Sequence, residues 1–132
     1  LIDVSGAGNP SRILVDAIAL VPGRSAPKEC FNPPLAPRFG PFVSQVVKAN
    51  GFLFLTAQRG VDQVTNKVKI PDTASQARQI LENMTAVLES FGGSLDDAVK
   101  TVLYLKNSDD LSGVNEVWRT FFGDSPPSWF SV

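Results

Sequence analysis

Between Phe42 and Gln58 two short apolar runs, Phe-Val-Ser-Gln-Val-Val-Lys and Phe-Leu-Phe-Leu-Thr-Ala-Gln, flank the dipeptide Asn50-Gly51. That pattern predicts two strands joined by a tight hairpin turn, because Asn and Gly tolerate the positive φ such turns require. A weaker strand pattern covers Asn66 to Ile70. Pro71-Asp72-Thr73 then opens a helix, with Thr73 and Gln76 spaced as a capping box. Ala77, Ile80, Leu81, Met84, Val87, Leu88 and Phe91 recur at helical spacing, and Gly92-Gly93 supplies the stop. Val99 to Lys106 reads as a buried strand. A second helix is expected from about Asp109 to Phe122, ended by Gly123, with a stripe of Leu111, Val114, Asn115, Trp118, Phe121 and Phe122. Asn115 is the polar member of that apolar face.

Two further segments carry strand character. Arg12 to Leu20 is a clean apolar strand, and Ser128 to Val132 looks like the start of another. Leu1 to Val4 looks equally like a strand that begins without an entry. Between them, Pro27, Pro33, Pro34, Pro37 and Pro41 with Gly23 and Gly40 make residues 23 to 41 a stiff, irregular connector. These elements define one small α+β domain spanning residues 1–132.

Composition narrows the chemistry. The chain contains no histidine, which removes Ser-His-Asp and Cys-His nucleophile systems together with the commonest metal ligand. Twelve basic and thirteen acidic residues leave a formal charge of -1, and the basic ones are spread along the chain. No nucleic-acid footprint is expected. One cysteine, Cys30, cannot form an internal disulfide and has only Lys28 as a basic neighbour, so a cytoplasmic setting and an unreactive thiol are expected. The run Ile13 to Val21 is too short to span a bilayer and contains Asp16, so no membrane partner is expected. Asp96-Asp97 and Asp109-Asp110 fall where helical turns begin and read as capping carboxylates rather than a metal set. Gly6-Ala7-Gly8 leads to Pro10 and a strand, which makes it a turn and not a phosphate loop.

The order hairpin, helix, Gly-Gly, Val-Lys-Thr strand, Val-Asn helix, Phe-Phe-Gly and Pro-Pro strand resembles the Rid (YjgF) family of reactive-intermediate deaminases. The resemblance rests on Gly40-Pro41-Phe42, the stretch from Gln76 to Asn83, and Val99-Lys100-Thr101. It implies a chorismate-mutase-like fold, a single β-sheet with two helices packed on one face, assembled as a homotrimer with small-molecule pockets between subunits. The family's last strand is missing after Val132, and Ile13 to Leu20 looks like that strand moved to the front. Writing Val132 before Leu1 gives one continuous strand leading into a Gly-rich turn, so the sequence reads as a circular permutation. Residues 1–22 then match the family's C-terminal strands, residues 23–39 form the connector, and residues 40–132 match the rest. A slice through a longer tandem protein fits the same order.

The resemblance also implies an activity, hydrolysis of imines and enamines to ketones and ammonia without a cofactor. Residue by residue, Phe42 matches the aromatic position after Gly-Pro, with Val43 the alternative because the hairpin carries one extra residue, Thr56 the hydroxyl that ends the second hairpin strand with Gln58 close behind, and Asn115 the helix Asn. Trp129 falls where the family has its carboxylate-binding Arg, Ser131 where a Cys is frequent, and Leu14 where a water-orienting Glu stands. Asp16 is a candidate replacement for the acid and Arg59 for the cation. The expected catalytic group is therefore Thr56, Asn115 and Asp16, with Phe42, Trp129, Ser131, Leu14, Arg59 and Gln58 around the substrate. No metal and no cofactor are expected. Because an indole cannot replace a bidentate guanidinium, a more apolar reactive metabolite than a simple 2-imino acid is expected. A non-catalytic small-molecule-binding or scaffold trimer is the alternative. Ribonuclease activity has also been attached to the family, but without histidine or a basic patch the chain offers no mechanism for it.

Overall fold

The computed structural model describes residues 18–19, 26–34, 37–38, 40–69 and 71–131. The hairpin forms as the sequence predicts, from β2 (Val46–Ala49) and β3 (Phe52–Leu55), paired antiparallel from Val46 opposite Leu55 to Ala49 opposite Phe52. Asn50 and Gly51 take φ values of 49° and 79°, the left-handed pair that matches strand twist in a two-residue turn. The strands are shorter than the apolar runs, which extend on either side into irregular backbone.

A third strand, β1 (Glu29–Phe31), adds antiparallel to β2, with Cys30 opposite Val47 and Phe31 opposite Val46. It lies inside the proline-rich segment expected to be irregular throughout. Three residues between prolines carry no periodic signal, and β1 exists because the free edge of β2 pairs with it. The resulting order is β1-β2-β3.

Helix α1 (Thr73–Glu89) follows, and Asp72 caps it, its carboxylate accepting from the Ser75 amide at 2.9 Å. The cap is thus one residue earlier than the capping box placed it. Thr73 instead donates its hydroxyl to Asp110 at 2.8 Å. Hydrogen bonding to Ser75 holds the Asp72 carboxyl below its ordinary range. The weak strand expected at Asn66–Ile70 is not formed over 66–69. There the Asp62 carboxylate closes a turn by accepting from the amides of Val64 and Thr65 and the Thr65 hydroxyl, and pairs with Lys69. Lys69 first, then Thr65, pulls the Asp62 carboxyl well below the usual carboxylate range. Local side-chain bonds of this kind compete successfully with a ladder.

At the end of α1 the Gly93 amide returns to the Leu88 carbonyl at 3.0 Å, with Gly92 at φ 77° making the turn possible. β4 (Lys100–Leu103), α2 (Leu111–Phe122) and β5 (Ser128–Ser131) complete the fold. Short 3₁₀ turns at Leu95–Asp97 and Ser108–Asp110 precede β4 and α2. Asp97 caps the first by accepting from the Ser94 amide, as expected, but the second is capped by Asn107, whose Oδ1 accepts from the Asp109 amide, and the Asp110 carboxylate takes the Thr73 hydroxyl instead. β4 and β5 are parallel, with Thr101 opposite Trp129 and Leu103 opposite Ser131. Parallel neighbours need a crossover, and α2 is that crossover.

The two helices lie on one side of the strands. Ala77, Leu81, Leu88, Leu95, Val114, Val117 and Phe122 form the core, with Leu53 and Leu55 of β3 and Leu103 of β4 packed against it. Leu81 is fully buried, a contribution of about 1.5–3 kcal/mol. Because strand side chains alternate, the intervening residues Phe52, Phe54, Val102 and Phe130 face away from the helices, and all four are exposed. Among the described residues the strands form two ladders, β1-β2-β3 and β4-β5, rather than one continuous sheet. No described strand links β3 to β4.

The proposed strand over Arg12–Leu20 lies almost wholly outside the described residues. Its two described members, Ile18 and Ala19, belong to no strand and are exposed, Ile18 at 81%. The junction of Val132 with Leu1 is outside the described residues as well. Among the described residues no helix is long and apolar enough to cross a membrane.

Candidate functional site

A cleft of about 220 Å³ opens between the C-terminal half of α2 and β5, lined by Asn115, Trp118, Arg119, Phe122, Gly123, Pro126 and Trp129. The helix delivers four of these by spacing alone. Asn115 and Arg119 are four residues apart, as are Trp118 and Phe122, so each pair sits on adjacent turns. Gly123 ends the helix at φ 53°, its amide bonded to the Arg119 carbonyl at 3.1 Å, and the chain turns back through Pro126 to bring Trp129 opposite.

The floor is aromatic. The Trp118 ring lies 4.9 Å from Phe122 and 6.5 Å from Trp129, centroid to centroid. These separations are within the range of favourable aromatic pairs, so packing fixes both indoles. Two buried polar atoms in this neighbourhood, Trp118 Nε1 and Thr101 Oγ1, find no hydrogen-bond partner among the described residues. Thr101 is the cross-strand neighbour of Trp129.

Asn115 is half-buried, and its amide makes no hydrogen bond among the described residues. An Asn retained on a helix for structure would be expected to hold backbone groups. Asn83 on α1 does so: it is fully buried and donates Nδ2 to the carbonyls of Val61 at 3.0 Å and Arg59 at 3.3 Å. The Asn115 amide is instead left to the cleft. Among the described residues no carboxylate lines the cleft, and Arg119 is the one charged lining residue.

The other sequence-derived candidates lie elsewhere. Thr56 directly follows β3, its amide bonded to the Gln45 carbonyl at 3.0 Å and its own carbonyl accepting from Gln58 Nε2 at 2.9 Å. Gln58 Oε1 is buried without a partner among the described residues. Arg59 is exposed and Gly60 beside it is buried against α1. Phe42 is 97% exposed, in the segment before β2. Ser131 ends β5, exposed. Leu14 and Asp16 are outside the described residues. Of the candidates, then, the structure brings Asn115 and Trp129 together and leaves Thr56 and Gln58 in the segment that follows β3. Trp118, Arg119 and Pro126 are cleft residues that the sequence reading did not single out, although the spacing from Asn115 to Arg119 carried the signal.

Among the described residues no group of three or more Cys, Asp or Glu side chains is placed to hold a metal ion. Cys30 is exposed on β1.

The profile of the Endoribonuclease L-PSP family matches residues 35–132. A RutC family protein of Pyrococcus horikoshii is 42% identical over 93 residues, which is 70% of this chain and 73% of the relative. The 2-iminobutanoate/2-iminopropanoate deaminase of Dermatophagoides farinae is 33% identical over 108 residues, covering 81% of this chain and 84% of its own. The crystal structure of RidA from an Antarctic Psychrobacter superposes with a TM-score of 0.74 at 30% identity, over 79% of this chain and 84% of that one. With its α+β fold, two helices on one side of the strands, the chain belongs to the Rid (YjgF) family.

Proposed function

We propose that this chain is a divergent Rid-like enzyme that hydrolyses an imine or enamine, or carries out a related rearrangement, in an apolar pocket completed between the subunits of a homotrimer. Water adds to the C=N carbon, the nitrogen takes up protons, and the C–N bond breaks to leave a carbonyl compound and ammonia. The observation that carries the reading is the cleft itself, which sets an Asn115 amide with no backbone partner among the described residues beside the Trp129 indole. An amide so placed can hold the adding water or the polarised nitrogen, and the indole faces exclude bulk water. The kinship to a protein named as an iminobutanoate and iminopropanoate deaminase supports the reaction class. Thr56 and Gln58, just beyond β3, would enter the site from a neighbouring subunit.

Trp129 in place of a guanidinium favours a second reading, a binding or scaffold trimer without turnover. One experiment separates them. Imines generated in situ from alanine and from leucine by an amino-acid oxidase are presented to the chain, and ammonia release is compared with the rate without it. The enzyme reading expects release above background from the leucine-derived imine, little from the alanine-derived one, and a loss of at least tenfold in Asn115→Ala. Background rates with both substrates would leave the binding reading.

A further inference from the structure

Arg119 gives the cleft a positive charge. It is exposed in the last turn of α2, one turn beyond Asn115, and makes no ion pair or side-chain hydrogen bond among the described residues. Other cations nearby are engaged. The Arg78 guanidinium sits over the Phe121 ring at 5.6 Å, and Lys100 over Phe130 at 5.6 Å. With one guanidinium, one amide and no carboxylate among its described lining residues, the cleft complements a single negative charge. The rest of its wall is indole, phenyl and proline. At about 220 Å³ it is smaller than the roughly 300–1,000 Å³ of pockets for drug-sized ligands, so the fit is to a metabolite-sized molecule.

We infer that the cleft binds small carboxylates bearing an aromatic or bulky apolar group, with Arg119 taking the carboxylate and the Trp118–Trp129 indoles taking the apolar part. A guanidinium suits this because its fork matches a carboxylate bidentately and is easily desolvated beside aromatic faces. The inference rests on reading this cleft as the small-molecule site, and it names a ligand class where that reading leaves the substrate open. Arg119 has a competing structural role, since a cation in the last turn complements the helix carbonyls. That role is served equally by lysine, whereas bidentate recognition is not.

Calorimetric titration of the whole chain with 3-phenylpropanoate, its neutral amide 3-phenylpropanamide, and propanoate tests the inference without requiring turnover. Expected are measurable binding of 3-phenylpropanoate, and binding of both the amide and propanoate weaker by about tenfold or more. Arg119→Ala and Arg119→Lys should both weaken 3-phenylpropanoate by about that factor while leaving the amide unchanged and the circular dichroism spectrum intact. Absence of 3-phenylpropanoate binding, equal binding of acid and amide, equal binding of propanoate and 3-phenylpropanoate, or wild-type affinity in Arg119→Ala would each overturn it. Arg119-dependent binding without ammonia release from any imine would sink the enzyme reading and leave this one standing. Turnover that ignores Arg119 would do the reverse.

Discussion

Asn83 and Asn115 are both polar residues on the apolar face of a helix, and periodicity alone cannot tell them apart. The difference is tertiary. Asn83 meets the carbonyls of Arg59 and Val61 and accepts from Gln79 Nε2 at 3.1 Å, so every polar atom of its amide is used. Asn115 meets a cleft. Asn83→Leu keeps the volume but leaves the buried Val61 carbonyl without its donor, a loss of about 1–3 kcal/mol for such a group. The thermal midpoint should fall by about 5–10 °C in a domain of this size, whereas Asn115→Leu should leave it within about 2 °C. Scanning calorimetry of the two variants checks this, and equal midpoints would mean the two amides are not in different environments. The sequence marked Asn115 through the family resemblance. It contained Asn83 only as the last residue of the matching stretch, because the carbonyls it serves lie more than twenty residues away. Arg119 escaped for a related reason: a basic residue on a helix surface gains meaning only once Trp129 is folded opposite it.

The elements whose apolar pattern is long or punctuated were legible. The hairpin was announced by Asn50-Gly51, α1 by seven apolar positions at helical spacing, and α2 by its stripe and Gly123. What local pattern did not hold was β1, whose three residues are a strand only because β2 pairs with them, and the turn closed by Asp62, where a carboxylate satisfies the amides a strand would have used. The segment from Thr56 to Val61 shows how elements then position a candidate group. It is clasped to α1 by Asn83 from one side and by Gly60 from the other. A Cβ on Gly60 would stand 2.6 Å from Gln76 Cβ and 2.7 Å from Gln76 Cα, and neither of these can swing away as the end of a side chain could. Gly60 has no positive φ to preserve, so contact alone decides the outcome. Gly60→Ala should therefore cost about 1–3 kcal/mol, as overpacking does, rather than stabilise by the ~0.4–1 kcal/mol gained when alanine replaces an unconstrained glycine. Urea unfolding gives the sign directly. A midpoint raised above wild type would show that α1 and the 56–61 segment do not approach as closely as described.

At the scale of the molecule, the same alternation that buries Leu53, Leu55 and Leu103 under the helices turns Phe52, Phe54, Val102 and Phe130 outward. Four large apolar side chains on the uncovered side of two ladders are more than scattered surface hydrophobics. Apolar side chains gathered on strand faces in this way point to an interface. Our proposed homotrimer covers it by packing the open strand faces together about a threefold axis, a closed symmetric arrangement. It also resolves the separation of the candidate site, since Thr56 and Gln58 beyond β3 of one subunit and Asn115 on α2 and Trp129 on β5 of another could meet across a subunit boundary. Light scattering at micromolar concentration should give three times the 14.2 kDa chain mass. Phe54→Glu places a charge on that face, where burial without a partner is strongly unfavourable, and should shift the mass to that of one chain while the helical circular dichroism persists. If the pocket is completed between subunits, the same variant should lose imine turnover although Phe54 does not line the cleft. A wild-type monomer would remove the interface and with it the shared site. A trimer that survives Phe54→Glu would place the interface on another face of the molecule.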